Sequence, residues 1–348
     1  MRARHSSAAL EVFARTLLER LGVDRDKAAT VATVLVEGDL LGHDTHGLAL
    51  LAPYLSELAS GSMAGTGDYE VIARRGAVET WDGCRLPGPW LTTQALERAI
   101  ELARTQGTGT VVIRRSHHIA CLAAYLRRVA EQGWVAQIQC SDPNAASVAP
   151  YGGMRAVFTP DPLAIGFPTA GDPVIVDISA SITTNGLTNR LHAQGRKLAH
   201  PWLLDGNGNP SDDPVVLAGD PPGTILPLGG LDAGHKGFGL ALLVEALTGG
   251  LAGFGRADPP QGWGATVFVQ VLDPEAFGGG AGFTRQMQAI ADACHASPPR
   301  PAMAPVRLPG ERGQALRREQ LVLGVALHPQ ILPALRPWAD KLGVGAPA

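Results

Sequence analysis

The chain has 348 residues, of which 45% are apolar and 18% are charged, and its net charge at pH 7 is −3. Such a chain can bury a large core, and its length suggests two or three domains. Because basic residues are not in excess, neither nucleic acid nor an anionic membrane surface is expected as a partner. No apolar run approaches the roughly 20 residues of a membrane span. We therefore expect the partner to be a small molecule or a second copy of the chain.

The first 70 residues carry the periodicity of helices. Apolar residues recur at intervals of three and four over residues 6–21, and the pattern resumes after the N-cap Asp24 as far as Leu40. Gly22 separates these two predicted helices. The second helix leads into Gly-His-Asp-Thr-His-Gly at 42–47, a cluster of two imidazoles and a carboxylate.

Strands and helices alternate between about residues 70 and 280. Predicted strands cover 108–114, 134–140, 173–178 and 265–272, and predicted helices cover 91–105, 119–132 and 238–251. This alternation indicates an α/β layer structure. Helices are predicted again at 283–295 and 329–342. We predict an α/β domain at 71–281 inserted into a helical domain that 1–70 and 282–348 form together.

The four cysteines are isolated from one another along the chain, at Cys84, Cys121, Cys140 and Cys294. Their spacing fits neither a zinc ribbon nor a redox dithiol. A reducing, cytoplasmic setting is therefore predicted.

Two histidine pairs could transfer protons near neutral pH. For His43 and His46 three interpretations are open: histidines satisfied at a helix end, a metal pair, or a proton-transfer site. The chain lacks HExxH and any third ligand at a recognisable spacing, so no metal site is predicted. His117 and His118 lie between a predicted strand and a helix, where α/β proteins usually place reacting groups, although one of them could simply cap the helix.

Two further segments could bind an anion or a sugar. Lys236, within 234–239, is predicted at a helix N-terminus, where a lysine opposes the helix dipole unless an anion such as a phosphate binds there; an exposed lysine in a turn is the alternative. Asp177 ends a predicted strand and could bind ribose hydroxyls, orient a histidine or cap a turn. Glu245 interrupts an apolar helix and is predicted to be buried. No GxGxxG follows a strand, so a Rossmann domain is not predicted.

Taken together, these segments resemble the malate/L-lactate dehydrogenase-like family of NAD(P)-dependent oxidoreductases. That family includes L-sulfolactate and ureidoglycolate dehydrogenases, 2,3-diketo-L-gulonate reductase and Δ1-piperideine-2-carboxylate reductase. The resemblance covers nearly the whole chain and rests on segments in the family's order: Thr45-His46-Gly47 with Tyr54, then 115–118, 148–153, 177–181, 235–240 and 308–311. It implies a non-Rossmann α/β cofactor-binding domain and a homodimer.

The resemblance also implies site residues. His46 and His118 would lie beside the nicotinamide and the substrate, one giving or taking the proton that accompanies hydride transfer. Thr45, Leu50 and Tyr54 would contact the substrate. The cofactor, NAD(P)H with NAD or NADP left open, would be held by Ser141, Asp177, Ile178, Ser179, Ser181, His235, Lys236, Pro309, Gly310 and Glu311. Arg190 and Arg196 could contact a 2′-phosphate, with surface arginines as the alternative.

Two places depart from the family pattern. Leu50 stands where many members have an arginine that can clamp a substrate carboxylate, and Thr159-Pro160-Asp161-Pro162 replaces Gly-Thr-Asn-Pro. A bulkier 2-oxo acid or a cyclic imine is therefore favoured over plain malate or lactate. The predicted function is hydride transfer between NAD(P)H and a C=O or C=N bond adjacent to a carboxylate. The alternatives are a non-catalytic relative that binds a cofactor or ligand, and a histidine-based metal hydrolase.

Overall fold

Ten α-helices and twelve β-strands make up residues 4–347, the part of the chain that this computed structural model describes. The helices are α1 Ser7–Arg20, α2 Arg25–Leu40, α3 Leu51–Ser60, α4 Gly88–Gln106, α5 Ala123–Ala130, α6 Asn185–Ala193, α7 Gly230–Glu245, α8 Gly280–Ala296, α9 Glu311–Leu323 and α10 Ile331–Leu342. The strands are β1 Arg4–His5, β2 Glu70–Arg75, β3 Val78–Asp82, β4 Thr108–Ser116, β5 Val135–Ser141, β6 Pro162–Phe167, β7 Val174–Ser179, β8 Leu203–Leu204, β9 Pro210–Ser211, β10 Thr224–Ile225, β11 Ala265–Leu272 and β12 Val325–Ala326. In this part of the chain no helix combines the length and the apolarity that crossing a bilayer requires.

A seven-stranded mixed sheet forms the centre of the molecule, in the order β2-β3-β4-β11-β5-β6-β7. Only β3 and β4 run parallel to each other; the other neighbours are antiparallel. In β11, Val267 and Val269 face the side that α4 covers, whereas Phe268 packs with residues near the π-helical turn Ala246–Gly250. Because both faces are covered, this strand is a continuous apolar run. The predicted α/β class is confirmed.

Helices from the two ends of the chain pack together. α1 and α3 contact α10, α2 contacts α9, and β1 pairs with β12. The side-chain amide of Gln320 donates to the carbonyl oxygens of Asp39 and Leu40, each at 3.0 Å, and so satisfies carbonyl groups that the end of α2 leaves open. One buried core runs from these helices into the sheet. The division into 1–70 plus 282–348 and 71–281 stays a prediction.

Several predicted boundaries are wrong, and the sequence pattern misses some elements. α5 begins at Ala123 rather than at 119, because the chain turns at Ala120 with a φ of 61°. α7 is kinked at Ala233, whose φ and ψ are non-helical, so its second segment begins before the predicted residue 238 and Lys236 lies in the first turn of that segment, as predicted. α9 carries no apolar stripe because its buried residues are Gln314 and Gln320. The fully exposed β2 likewise shows no alternation of apolar and polar residues.

Candidate active site

The loop at 42–47 is held against α2 by Asp39. The carboxylate of Asp39 accepts a hydrogen bond from the N–H of Leu48 at 2.7 Å. Gly47 is required beside it, because a Cβ there would overlap the carboxyl atoms of Asp39. Burial raises the pKa of Asp39 to about 7. A buried carboxyl group therefore fixes the loop that carries His46.

His46 is held by its neighbour in the chain. Its Nδ1 lies 2.8 Å from the hydroxyl oxygen of Thr45. Burial, assisted by the positive charges of His43 and Arg190, lowers the pKa of His46 to about 4. The ring is therefore neutral near pH 7.

The backbone around His117 and His118 is bent and tightly packed. Arg115 and Ala120 have φ values of 51° and 61°, which residues with a Cβ rarely adopt. Gly88, the first residue of α4, packs against the two histidine carbonyl groups so closely that a Cβ would lie 2.7 Å from the His118 carbonyl carbon. The start of α4 thus sets the position of the histidine pair.

His118 lies beside His46, and its Nδ1 is also occupied. The Nδ1 atom lies 2.8 Å from the hydroxyl oxygen of Tyr54 and accepts the N–H of Ala120 at 3.2 Å. Burial, with the charges of neighbouring histidines, holds the pKa of His118 well below its usual range. The His46 and His118 rings are stacked with centroids 6.1 Å apart. Among the described residues neither Nε2 has a partner, so Nε2 is the atom that each ring can offer a ligand.

Trp263 also lies in this site, although the sequence patterns did not single it out. Its ring centroid lies 4.8 Å from that of His118, 5.0 Å from that of His117 and 5.6 Å from that of Tyr54. The only signal in the sequence is a tryptophan between two glycines just before β11. His117 is fully buried beneath it, with its Nε2 3.4 Å from a carboxylate oxygen of Glu57. His117 is therefore part of the protein interior, whereas His118 reaches the site.

The buried His117 gives a pH dependence of stability. Burial lowers its pKa to about 3, compared with about 6.5 in an unfolded chain. Between these values the unfolded state binds one more proton, so the free energy of unfolding falls as the pH falls. His117→Phe should reduce the slope of unfolding free energy against pH, near pH 5, by about 1.4 kcal/mol per pH unit. Urea unfolding at several pH values measures this; an unchanged slope, equal to that of the exposed control His192→Gln, would contradict it.

Two other predicted residues lie on or near the same loop. Leu50 is half-buried, ends the 3₁₀ turn Leu48–Leu50 and packs against the main core. Arg190 of α6 forms an ion pair with Asp44, with 2.7 Å between Nη1 and Oδ1. The Arg190 side chain is 19% exposed, so it lies partly buried beside the histidine loop. Arg196 is exposed.

A cavity of about 410 Å³ brings together four of the predicted cofactor residues, namely Asp177, Ile178, Pro309 and Gly310. His43 and Arg312 also line it. Gly310 has a φ of 90°, and a Cβ there would lie 3.0 Å from the backbone nitrogen of Ile175. A glycine at this position lets the start of α9 approach β7. Two segments that are distant in sequence therefore meet in one cavity.

The remaining predicted cofactor residues on these segments make internal contacts. Glu311 accepts the N–H of Leu308 at 2.9 Å and lies 2.7 Å from Nε2 of His295. The hydroxyl of Ser179 donates to the carbonyl of Ser181 at 2.9 Å, and that of Ser181 donates to the carbonyl of Thr183 at 2.6 Å. These side chains order the cavity loops.

Ser141, His235 and Lys236 lie on two other elements, β5 and α7. Ser141 donates to a carboxylate oxygen of Glu245 at 2.7 Å, and Arg256 binds the same oxygen. His235 and Lys236 are exposed on α7. The next residue, Gly237, packs against the carbonyl of Ala180, so α7 contacts the 177–181 segment.

One group of side chains within residues 4–347 could ligate a metal. His43, Cys121 and Asp177 place a ligand atom each within 4.8 Å of one another. A carboxylate oxygen of Asp177 also accepts the N–H of Ala123 at the start of α5. The group includes neither His46 nor His118, so it does not support a hydrolase that uses these histidines as metal ligands.

The family assignment follows from comparison with known proteins. The model of the malate/L-lactate dehydrogenase family matches residues 5–336. The chain belongs to this family. The family resemblance predicted from the sequence segments is thereby confirmed.

Individual relatives agree with this assignment. The chain is 32% identical over 342 residues to an L-lactate dehydrogenase of Cupriavidus necator; the match covers 96% of this chain and 97% of that protein. It is 34% identical over 321 residues to a (2R)-3-sulfolactate dehydrogenase (NADP(+)) of Chromohalobacter salexigens; the match covers 89% of this chain and 90% of that protein. A solved structure of Δ1-piperideine-2-carboxylate reductase from Pseudomonas syringae has a TM-score of 0.84 and 27% identity, covering 97% of this chain and 100% of that chain. These relatives are enzymes, so the non-catalytic alternative gains no support.

Proposed function

We propose that this chain transfers a hydride between NAD(P)H and a C=O or C=N bond next to a carboxylate, in a 2-oxo acid or a cyclic imine. The observation that carries the proposal is the stacked pair His46 and His118, whose Nδ1 atoms are both engaged and whose Nε2 atoms have no partner among the described residues. Membership of a dehydrogenase family supports the same reaction class.

The histidine pair meets the proton requirement of this reaction. Reduction of C=O or C=N leaves a basic oxygen or nitrogen that takes up a proton, and oxidation releases that proton. Of His46 and His118, one ring accepts or returns the proton at Nε2, and the other holds the reacting oxygen or nitrogen by a hydrogen bond. Because burial keeps both rings neutral near pH 7, the free protein is prepared to accept a proton from a substrate hydroxyl.

In this proposal the nicotinamide cofactor binds at the cavity between 177–178 and 309–310. Bound there, it supplies the hydride donor or acceptor. Gly310 lets the start of α9 lie against β7, and both the N-terminus of α9 and Arg312 open onto the cavity. A helix N-terminus and a guanidinium each attract the phosphates of such a cofactor. In this proposal Asp177, Ile178, Pro309 and Gly310 hold the cofactor directly.

The other predicted cofactor residues have supporting positions in the proposal. Ser179, Ser181 and Glu311 keep the two loops ordered. His235 and Lys236 adjoin the 177–181 segment from the exposed side of α7, and Ser141 anchors the polar cluster at the end of β5. The choice between NAD and NADP is left to experiment, with one relative named for NADP+.

The substrate side of the site favours a bulky or cyclic acid. Tyr54 and Trp263 place aromatic rings next to His118. Leu50 adds an apolar side chain where the family pattern has an arginine. Such a surface stabilises an apolar substrate body by removing it from water.

We expect the enzyme to act as a homodimer in the cytoplasm. Leu242, Leu243 and Leu251 are about half exposed on and just after α7, and exposed apolar patches commonly mark surfaces that a partner covers. All four cysteines are free, which suits a reducing compartment. Light scattering of the purified protein measures the assembly directly, and a monomer at micromolar concentration would contradict the dimer.

A substrate panel tests the proposed function. Purified protein is assayed with NADH and with NADPH against straight-chain, branched and aromatic 2-oxo acids and against cyclic imines, following the loss of nicotinamide absorbance. We expect turnover with at least one cofactor, strongest for bulky or cyclic substrates. Absence of binding of either reduced cofactor at millimolar concentration, followed by fluorescence, would overturn the proposal.

A further inference from the structure

Arg190 is a cation fixed at the edge of the proposed active site. Its Nη1 donates to Oδ1 of Asp44 at 2.7 Å, and its Nη2 donates to the backbone carbonyl of Asp44 at 2.9 Å. The side chain is only 19% exposed. Asp44 precedes His46 by two residues, so the guanidinium is attached to the loop that carries this histidine.

Close packing of α6 brings Arg190 to this loop. Gly186, one helical turn before Arg190 on the same face, lies against Thr45, where a Cβ would be 3.2 Å from the Thr45 Cβ. An alanine at 186 would require Thr45 or α6 to shift by a few tenths of an ångström. Thr45 in turn contacts Nδ1 of His46, and the charge of Arg190 contributes to the lowered pKa of His46.

A cavity of about 230 Å³ opens beside this contact. Its polar part is lined by Thr45, Arg190, His328 and Gln330. Ala49, Ala52 and Leu335 are among the apolar residues that line the rest. Of the described residues around this cavity, Arg190 alone carries a permanent positive charge. The lining therefore has one cationic end and an apolar body, the combination that a carboxylic acid with an apolar substituent requires.

The chemistry of the guanidinium suits this use. Arginine has five N–H donors arranged to match the two oxygens of a carboxylate. Two of the five N–H donors bind Asp44, so the ion pair orients the guanidinium group and leaves donors for a second partner. Leu50, which stands where relatives have an arginine, offers no donor at all.

We propose that Arg190 binds the carboxylate of the substrate and that the cavity beside Thr45 is the corresponding subsite. This inference rests on the proposed function, since the carboxylate in question is the one adjacent to the reacting C=O or C=N bond. It explains how a member of the family that lacks the arginine at position 50 still recognises an acid, with the cation supplied from α6.

A comparison of acid and ester substrates tests the assignment. KM and kcat are measured for the best 2-oxo acid of the panel and for its methyl ester, in wild-type protein and in Arg190→Gln. Loss of a charge-assisted hydrogen bond should raise KM for the acid about 10- to 100-fold, while KM for the ester changes by less than about twofold. Arg190→Lys keeps the charge but loses the planar set of donors, so its KM for the acid should lie between those of the wild type and Arg190→Gln. Arg336→Gln, an exposed arginine on α10, is the control and should leave both substrates unaffected.

The outcomes separate a substrate contact from a structural role. If the ion pair with Asp44 only positions α6, Arg190→Gln will impair the acid and the ester by the same factor, and the proposal is overturned. It is also overturned if neither KM changes. Should Arg190→Gln fail to fold, the acid-to-ester ratio of Arg190→Lys decides in the same way. Lack of turnover of every 2-oxo acid and every cyclic imine by the wild type would instead be a failure of the proposed function itself.

Discussion

Replacement of His46 by glutamine is expected to lower kcat/KM about 10²- to 10⁴-fold, the usual contribution of a positioned proton-transfer group. Glutamine can keep a hydrogen bond to Thr45 but has no basic ring nitrogen that can accept and return a proton. The same loss is expected for His118→Gln, because the two rings share the proton-transfer and hydrogen-bonding roles. Initial rates with the best substrate of the panel measure both effects.

The controls for this experiment come from the same protein. His192→Gln, an exposed histidine of α6, should leave kcat/KM unchanged. Circular dichroism and thermal unfolding should show that His46→Gln and His118→Gln remain folded. Wild-type rates in either of these two variants would remove that histidine from the mechanism.

Replacement of Gly88 by alanine is expected to disturb both stability and activity. The added Cβ would overlap the carbonyl groups of His117 and His118, which are backbone atoms and cannot rotate away. Overpacking of this kind costs about 1–3 kcal/mol of unfolding free energy. A displacement of His118 by about 1 Å is enough to lower kcat/KM about 10²-fold. Urea unfolding and steady-state kinetics measure the two effects together.

Gly282→Ala provides the matched control for this prediction. Gly282 is in helix α8, and nothing lies within 4 Å of its added Cβ. Here alanine should leave activity unchanged and raise the unfolding free energy by up to about 1 kcal/mol, because it favours the helix more than glycine does. If Gly88→Ala behaves like Gly282→Ala, the packing of α4 does not set the position of the histidines.

Features that depend on neighbours in the chain were predictable. The helices α1 and α2 and the strand β11 have a regular or continuous apolar pattern, and their predicted limits lie within one or two residues of the observed ones. The order of the short segments was enough to identify the family. The sequence also indicated His46, His118 and Tyr54 as one site, although only because these segments resemble those of known enzymes.

Other elements could not be recognised from the sequence because their buried residues are polar. α9 turns two glutamines inward, and their amides bond to backbone groups of other segments, so the helix has no apolar stripe to reveal it. The position of His117 and His118 between a strand and a helix did not distinguish them, and only the family resemblance favoured His118. Only the fold buries His117 beneath Trp263 and leaves His118 with a ring nitrogen that can reach a ligand.

The sequence by itself determined the α/β class, the family and the residue types that carry the proposed chemistry, because periodicity and short motifs are local properties of a chain. The tertiary structure decided which of those residues meet. Gly186 and Gly310 carry no chemistry, yet their missing side chains let α6 approach Thr45 and α9 approach β7. The position of Arg190 beside the histidine loop depends on such packing between distant segments, and the sequence pattern does not predict that packing.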